Sequence, residues 1–141
     1  MAEVEEGRFV RLVYARIAAN EDLAAAVEKV CLDQGIGHGF VRGSLGSLTD
    51  AVLLGAGERR IELRGPAIEV LSLTGEVRSE ADGVPRATLA GVVADALGRI
   101  HAGRFAPGLN PVCVTFELAL EVWEPAAAPA ASASSGSNVL R

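Results

Sequence analysis

The segment from Val112 to Trp123 constrains this chain more than any other. Val112, Val114, Phe116, Leu118, Leu120 and Val122 share one parity. Cys113, Thr115, Glu117, Ala119, Glu121 and Trp123 share the other. A period of two sustained this long predicts a strand with one face buried. Such a strand needs partners, so the chain must build a sheet. Phe9 to Ile17 also alternates and predicts a second strand at the opposite end of the sequence.

Between these two, one stretch has a helical period. Leu23, Val27, Val30 and Cys31 repeat at helical spacing. Asn20 suits an N-cap, Glu21 and Asp22 suit the first turn, and Gly35 suits the residue after the last turn. The spacing predicts a helix over Glu21 to Gln34, with its apolar stripe against the sheet. Glycines at 35, 37, 39, 43 and 46 then crowd the segment Gly35 to Ser47. They follow a helix and lead into a strand, whereas a dinucleotide loop follows a strand and opens a helix. Close approach of the backbone to another chain or a ligand is the expected use.

Further strands are predicted over Ala51 to Leu54, Arg59 to Arg64, Ala67 to Arg78, Arg86 to Val92 and Ile100 to Phe105. A short helix over Val92 to Leu97 competes with the hairpin linking the last two. Asp82-Gly83 is a strong turn signal. One helical crossover followed by hairpins predicts an α+β fold, with a mostly antiparallel sheet and one main amphipathic helix packed on it. A single helix covers only part of such a sheet. Self-association is the economical cover for what remains. The expected organisation is a flexible lead-in over 1–7, one domain over 8–123, and a disordered Ala/Pro/Ser tail over 124–141.

Composition narrows the function. The 141 residues carry a net charge of -5, which argues against a broad basic surface for nucleic acid. Lys29 is the only lysine, so the positive charge is nearly all arginine. That bias fits anion binding, and it fits a GC-rich genome as well. Cys31 and Cys113 read as small buried hydrophobes, with no zinc spacing. The acidic, polar start does not resemble a signal peptide, and no apolar run reaches the length of a membrane span. A cytoplasmic location is therefore expected.

No complete catalytic motif is present, and whether the chain is an enzyme stays open. GSLGS lacks the nucleophile-elbow pattern. His38 and His101 are the only histidines, too few for a metal site, so neither a metal nor a cofactor is expected. Arg42, Arg86 and Arg104 lie in or beside strands with small neighbours. If they converge, they form an anion pocket with Ser44 and His101 as candidate companions. If they do not, they are solvated strand residues that discourage aggregation.

Several stretches together resemble the plants and prokaryotes conserved (PPC) domain. The helix start Glu21-Asp22-Leu23 is one. The segment Gly39 to Ser47 is similar to the family's glycine-rich G-S-x-x-x-A segment ending at Ala51. Glu69 to Gly75 is similar to its E-I-L-S-L-S-G strand. Thr88-Leu89-Ala90 with Gly98-Arg99-Ile100 is similar to its S-L-A…G-x-V hairpin. The resemblance covers Phe9 to Trp123. It implies an α+β fold, a homotrimer, and a role in DNA-associated or regulatory complexes, with DNA or a DNA-binding protein as partner. Two departures matter. Where many prokaryotic members carry histidines suited to a metal, this chain has Arg86 and Arg104, so the resemblance does not carry metal binding over. The exchange favours an anionic small molecule at a subunit interface instead. The AT-hook that precedes the domain in plants does not appear in these residues.

Overall fold

A computed structural model describes residues 1–127. β1 (Gly7–Ala18) leads through α1 (Leu23–Gln34) to β2 (His38–Leu48) and β3 (Ala51–Leu54). A 3₁₀ turn (Ala56–Glu58) precedes β4 (Arg60–Leu63). β5 (Ile68–Ser79), β6 (Pro85–Ala94), β7 (Ile100–Phe105) and β8 (Val112–Pro125) complete the chain. All eight strands join one sheet in the order β1-β8-β2-β5-β6-β7-β3-β4. Every pairing is antiparallel. The strand read most clearly from sequence, β8, sits between β1 and β2 and pairs along most of its length with both.

The expected α+β class is corrected. The molecule is a mostly β protein: an open, eight-stranded antiparallel sheet with one helix of 12 residues among the described residues. The crossover from β1 to β2 carries the helix; β2 to β3, β4 to β5 and β7 to β8 also join strands that are not neighbours, but without an α-helix. The later connections are hairpins, loops and the 3₁₀ turn, and no second α-helix forms among the described residues. The segment Val92 to Leu97, the alternative helix, instead ends β6 and enters the turn before β7. Glu124 and Pro125, expected in the tail, extend β8, and the rest of that expected tail from 128 onward lies outside the described residues. At the other end Gly7 already pairs with Pro125.

The helix begins two residues later than its sequence suggests. Asp22, not Asn20, is the N-cap, and its Oδ2 accepts from the Ala25 amide at 3.0 Å. Its Oδ1 accepts from the Asn110 amide at 2.9 Å, tying the helix start to the loop before β8. Asn20 instead takes a left-handed turn at φ 73° and donates its amide to Val112 O at 2.8 Å. The end matches expectation. Gly35 is left-handed at φ 66°, and Ile36 N donates to Cys31 O while Gly35 N donates to Leu32 O, a Schellman closure.

The sheet has two unequal faces. On the inward face one buried cluster draws on α1 and on every strand except β4, with Leu23, Val27, Phe116 and Leu120 fully buried. Glu28 fastens the helix to β6 by accepting from the Ala87 amide at 2.8 Å. Gly46 shows why the glycine-rich segment is needed: a Cβ there would lie 2.5 Å from the Phe116 ring. β2 runs unbroken through Gly43 and Gly46, with register shifts against β8 absorbing the irregularity. The outward face has no helix over it. Leu12, Tyr14, Leu45 and Leu71 are 59–70% exposed there.

Candidate functional site

Strand parity divides the candidate residues between the two faces. Gly43 pairs with Ala119 and Ser44 with the buried Leu118, so Ser44 faces inward. Arg42 faces outward and forms an ion pair with Glu121, Nε to Oε1 at 3.3 Å. Arg86 also faces outward, across from Arg78. It donates to Asp82 Oδ2 and Val84 O, each at 3.2 Å. Arg104 pairs across the sheet with Ala90 and with Leu54, on the outward side. Arg86 lies four residues from Ala90 along β6, a run of about 13 Å. Arg42 is two strands away from β6. The three arginines thus share a face without converging in one chain.

His101 faces inward and belongs to a different group. Asp95, with a side chain 6% exposed, gathers the β6–β7 turn around its carboxylate. Its Oδ2 meets His101 Nε2 at 3.0 Å and Arg99 Nε at 2.8 Å, while Oδ1 accepts the Leu97 and Arg99 amides. The His101 hydrogen bond, with those from Arg99 and Leu97, holds the Asp95 carboxyl far below the usual carboxylate range, against the opposing effect of burial. This is a closed turn that fixes a hairpin. His38 has a similar partner in Glu76, at 2.9 Å, and leans on the Phe40 ring. Cys31 is fully buried, and that burial pushes its thiol up to about 11.

Arg104 lines a broad, shallow concavity. It is a cleft of about 610 Å³ on the outward face over β5, β6 and β7. Two cross-strand rows form its floor: Thr74, Ala90 and Arg104, then Ser72, Val92 and Ala102. The turn Gly55 to Gly57 makes one wall. Its volume is within the range of small-ligand sites, about 300–1,000 Å³. Arg104 is the one charged residue of the lining. The arrangement offers one planar cation, two hydroxyls and a short apolar floor. Sequence reasoning identified Arg104 and missed Ser72 and Thr74. Their signal was a shared parity with each other, opposite to the buried Leu73; what it did not reveal was that β6 and β7 place small residues beside them.

Known proteins bear on these observations. A crystal structure of a plant- and prokaryote-conserved protein from Pyrococcus horikoshii superposes with a TM-score of 0.72 at 21% identity, covering 86% of this chain and 85% of that one. A metal-containing protein from Archaeoglobus fulgidus gives a TM-score of 0.71 at 21% identity, covering 86% of each. A DNA-binding candidate from Bacteroides thetaiotaomicron gives 0.68 at 16% identity, covering 85% of this chain and 84% of that one. These likenesses establish the shared fold. No curated protein matches the sequence. Among the described residues no group of three or more His, Cys, Asp or Glu side chains is placed to hold a metal ion. The family model for the Plants and Prokaryotes Conserved (PCC) domain matches residues 4–124. With the fold and the sequence model in agreement over nearly all of the described chain, this protein belongs to the plants and prokaryotes conserved domain family.

Proposed function

We propose that this protein is a self-assembling module, a homotrimer acting in cytoplasmic DNA-associated regulatory complexes, which reaches DNA through a protein partner. The uncovered sheet face carries this reading. Leu12, Tyr14 and Leu45 surround Ala119 and Gly43 there, flanked by the Arg42–Glu121 and Arg16–Glu117 ion pairs. Tyr14 donates to the Glu117 carboxylate at the same place. An apolar centre with a charged rim is the usual anatomy of a protein interface. Family membership and the DNA-binding description of the Bacteroides relative support the DNA association. The net charge of -5 supports contact through a partner over a broad basic surface of the chain's own. Light scattering across a dilution series tests the assembly, with a constant mass three times that of the chain expected. Fluorescence anisotropy with duplex DNA at low salt tests the second part. Micromolar binding by the chain alone would contradict contact through a partner.

A second reading is favoured by the cleft over β5, β6 and β7. There the chain binds an anionic small molecule through Arg104. Of the three arginines first considered, Arg104 lines a concavity of about 610 Å³ and Arg42 one of about 370 Å³, where Glu121 already pairs with Arg42. Stabilisation against heat by a small anion, abolished in Arg104→Ala, is its signature.

A further inference from the structure

We infer that the self-association is head to tail: the apolar prominence around Tyr14 on one copy seats in the cleft over β5, β6 and β7 of the next, and the contact repeats until a ring of three closes. This rests on the homotrimer reading above. Symmetry sets the requirement. A two-fold contact matches one patch with itself, whereas a three-fold ring is built from contacts between two different patches of each copy. The uncovered face carries two such patches, one raised and one recessed.

The raised patch lies over β1, β8 and β2. Leu12, Tyr14 and Leu45 stand 59–70% exposed there, around Ala119 and Gly43. Its charged neighbours are matched within the chain: Arg42 with Glu121, Arg16 with Glu117, and the Tyr14 hydroxyl with Glu117. It therefore brings little uncompensated charge into a contact. The recessed patch is the cleft of about 610 Å³. It lies low because its floor residues, Ser72, Thr74, Ala90, Val92 and Ala102, are all small. Large exposed side chains on one half of the face and small ones on the other are complementary in shape. Docking moves two leucines and a tyrosine ring out of water and onto a floor that is largely alkyl.

The patches also stand at one level along the strands. Tyr14, Ala119 and Gly43 are successive partners across β1, β8 and β2. The pairs Phe40–Glu76 and Gly46–Val70 bracket Gly43 on β2 and both Ser72 and Thr74 on β5. Thr74 is in turn level with Ala90 and Arg104. From β8 to β6, the middle strand of each patch, is three strand spacings, about 14 Å. The displacement runs across the strands and not along them. Rotation about an axis parallel to the strands therefore carries one patch onto the other without a rise, and the ring closes; a rise would generate an open fibre.

The test mixes two variants of the full chain. Leu45→Asp damages the raised patch and Ala90→Trp fills the recess, and both positions lie on the outward face. Each variant alone is expected to run as single chains in light scattering with the parent's far-UV spectrum. Mixed in equal amounts, they are expected to give a species of twice the chain mass. The raised patch of the Ala90→Trp chain still fits the cleft of the Leu45→Asp chain, and no third contact can close the ring. Ala102→Trp, at an exposed position of the same floor, replaces Ala90→Trp should that variant lose the parent's spectrum. A folded tryptophan variant that keeps three times the chain mass would overturn the seating in the cleft, leave the homotrimer standing and free the cleft for a small molecule. A mixture that stays at single-chain mass would also overturn the seating. A parent of single-chain mass at every concentration would overturn both the seating and the homotrimer.

Discussion

Asp95 shows how much one side chain can organise. It holds two backbone amides, the Arg99 guanidinium and the His101 imidazole at once. Because the folded carboxyl titrates below its unfolded value of about 3.9, it stabilises the fold fully above that pH, and the contribution falls away as pH drops through and below it. Asp95→Asn is therefore expected to melt at a lower temperature than the parent at pH 7. The gap between the two should narrow below about pH 4, and melting curves from pH 7 to pH 3 check this. A gap that widened on acidification would contradict the assignment. Asn110 is a second such residue, 1% exposed, with its side chain bonded to Val52 N, Val52 O and Ala106 O. Neither residue stands out in the sequence, because an isolated Asp or Asn near a turn looks the same whether it bonds locally or across the fold. Cys31 did stand out, since helical spacing alone places it on the buried stripe.

At the scale of elements, the periodic segments were legible and their ends were less so. α1 buries a regular stripe, β8 buries one interrupted at the exposed Val114, and β1 buries Ile17 with Val13 and Ala15 half-buried; a stripe survives in any context that covers one face. The start of α1 was misplaced because Asn20 and Asp22 are both good caps by type. The choice between them is made by Asn110 and Pro111, nearly ninety residues onward, which engage Asp22 and Leu23. Asp22→Ala removes the cap and the tie to Asn110 together, and is expected to cost about 1–2 kcal/mol in urea unfolding. Asn20→Ala tests the alternative: as a cap its loss would cost as much, whereas a left-handed turn residue predicts a smaller effect on helix content. The glycine-rich segment was expected to need close backbone approach. Gly46 makes that approach within its own chain, against Phe116 of β8, rather than to another chain or a ligand, and Gly43 has open space around it.

For the whole molecule, the decisive feature is a sheet covered on one face. The predicted self-association follows from the exposed set on the other, and Leu45, 70% exposed beside Ala119 and Glu117, lies near its centre. Leu45→Asp places a charge in that apolar centre without touching the core. It is expected to convert the assembly to single chains in light scattering while the far-UV spectrum stays unchanged. An assembly of unaltered mass would move the interface elsewhere. The class of the fold was misjudged at this scale too. A β-α-β start resembles the opening of an α+β domain, but class depends on what the later segments do, and here they add only strands.

The chain's alternation and its one helical stripe were sufficient, by themselves, to specify a sheet, a helix and the residues each would bury, because those periods are set by local backbone geometry. They also placed Arg42, Arg86 and Arg104 on strands. Tertiary structure alone decided that these arginines stand apart. Parity settles which face a strand residue takes, but distance between residues on one face depends on strand order, and strand order is set by long-range pairing. The order β2-β5-β6-β7 separates Arg42 from the others and sets Ser72 and Thr74 beside Ala90 and Arg104. The cleft exists only because of that order.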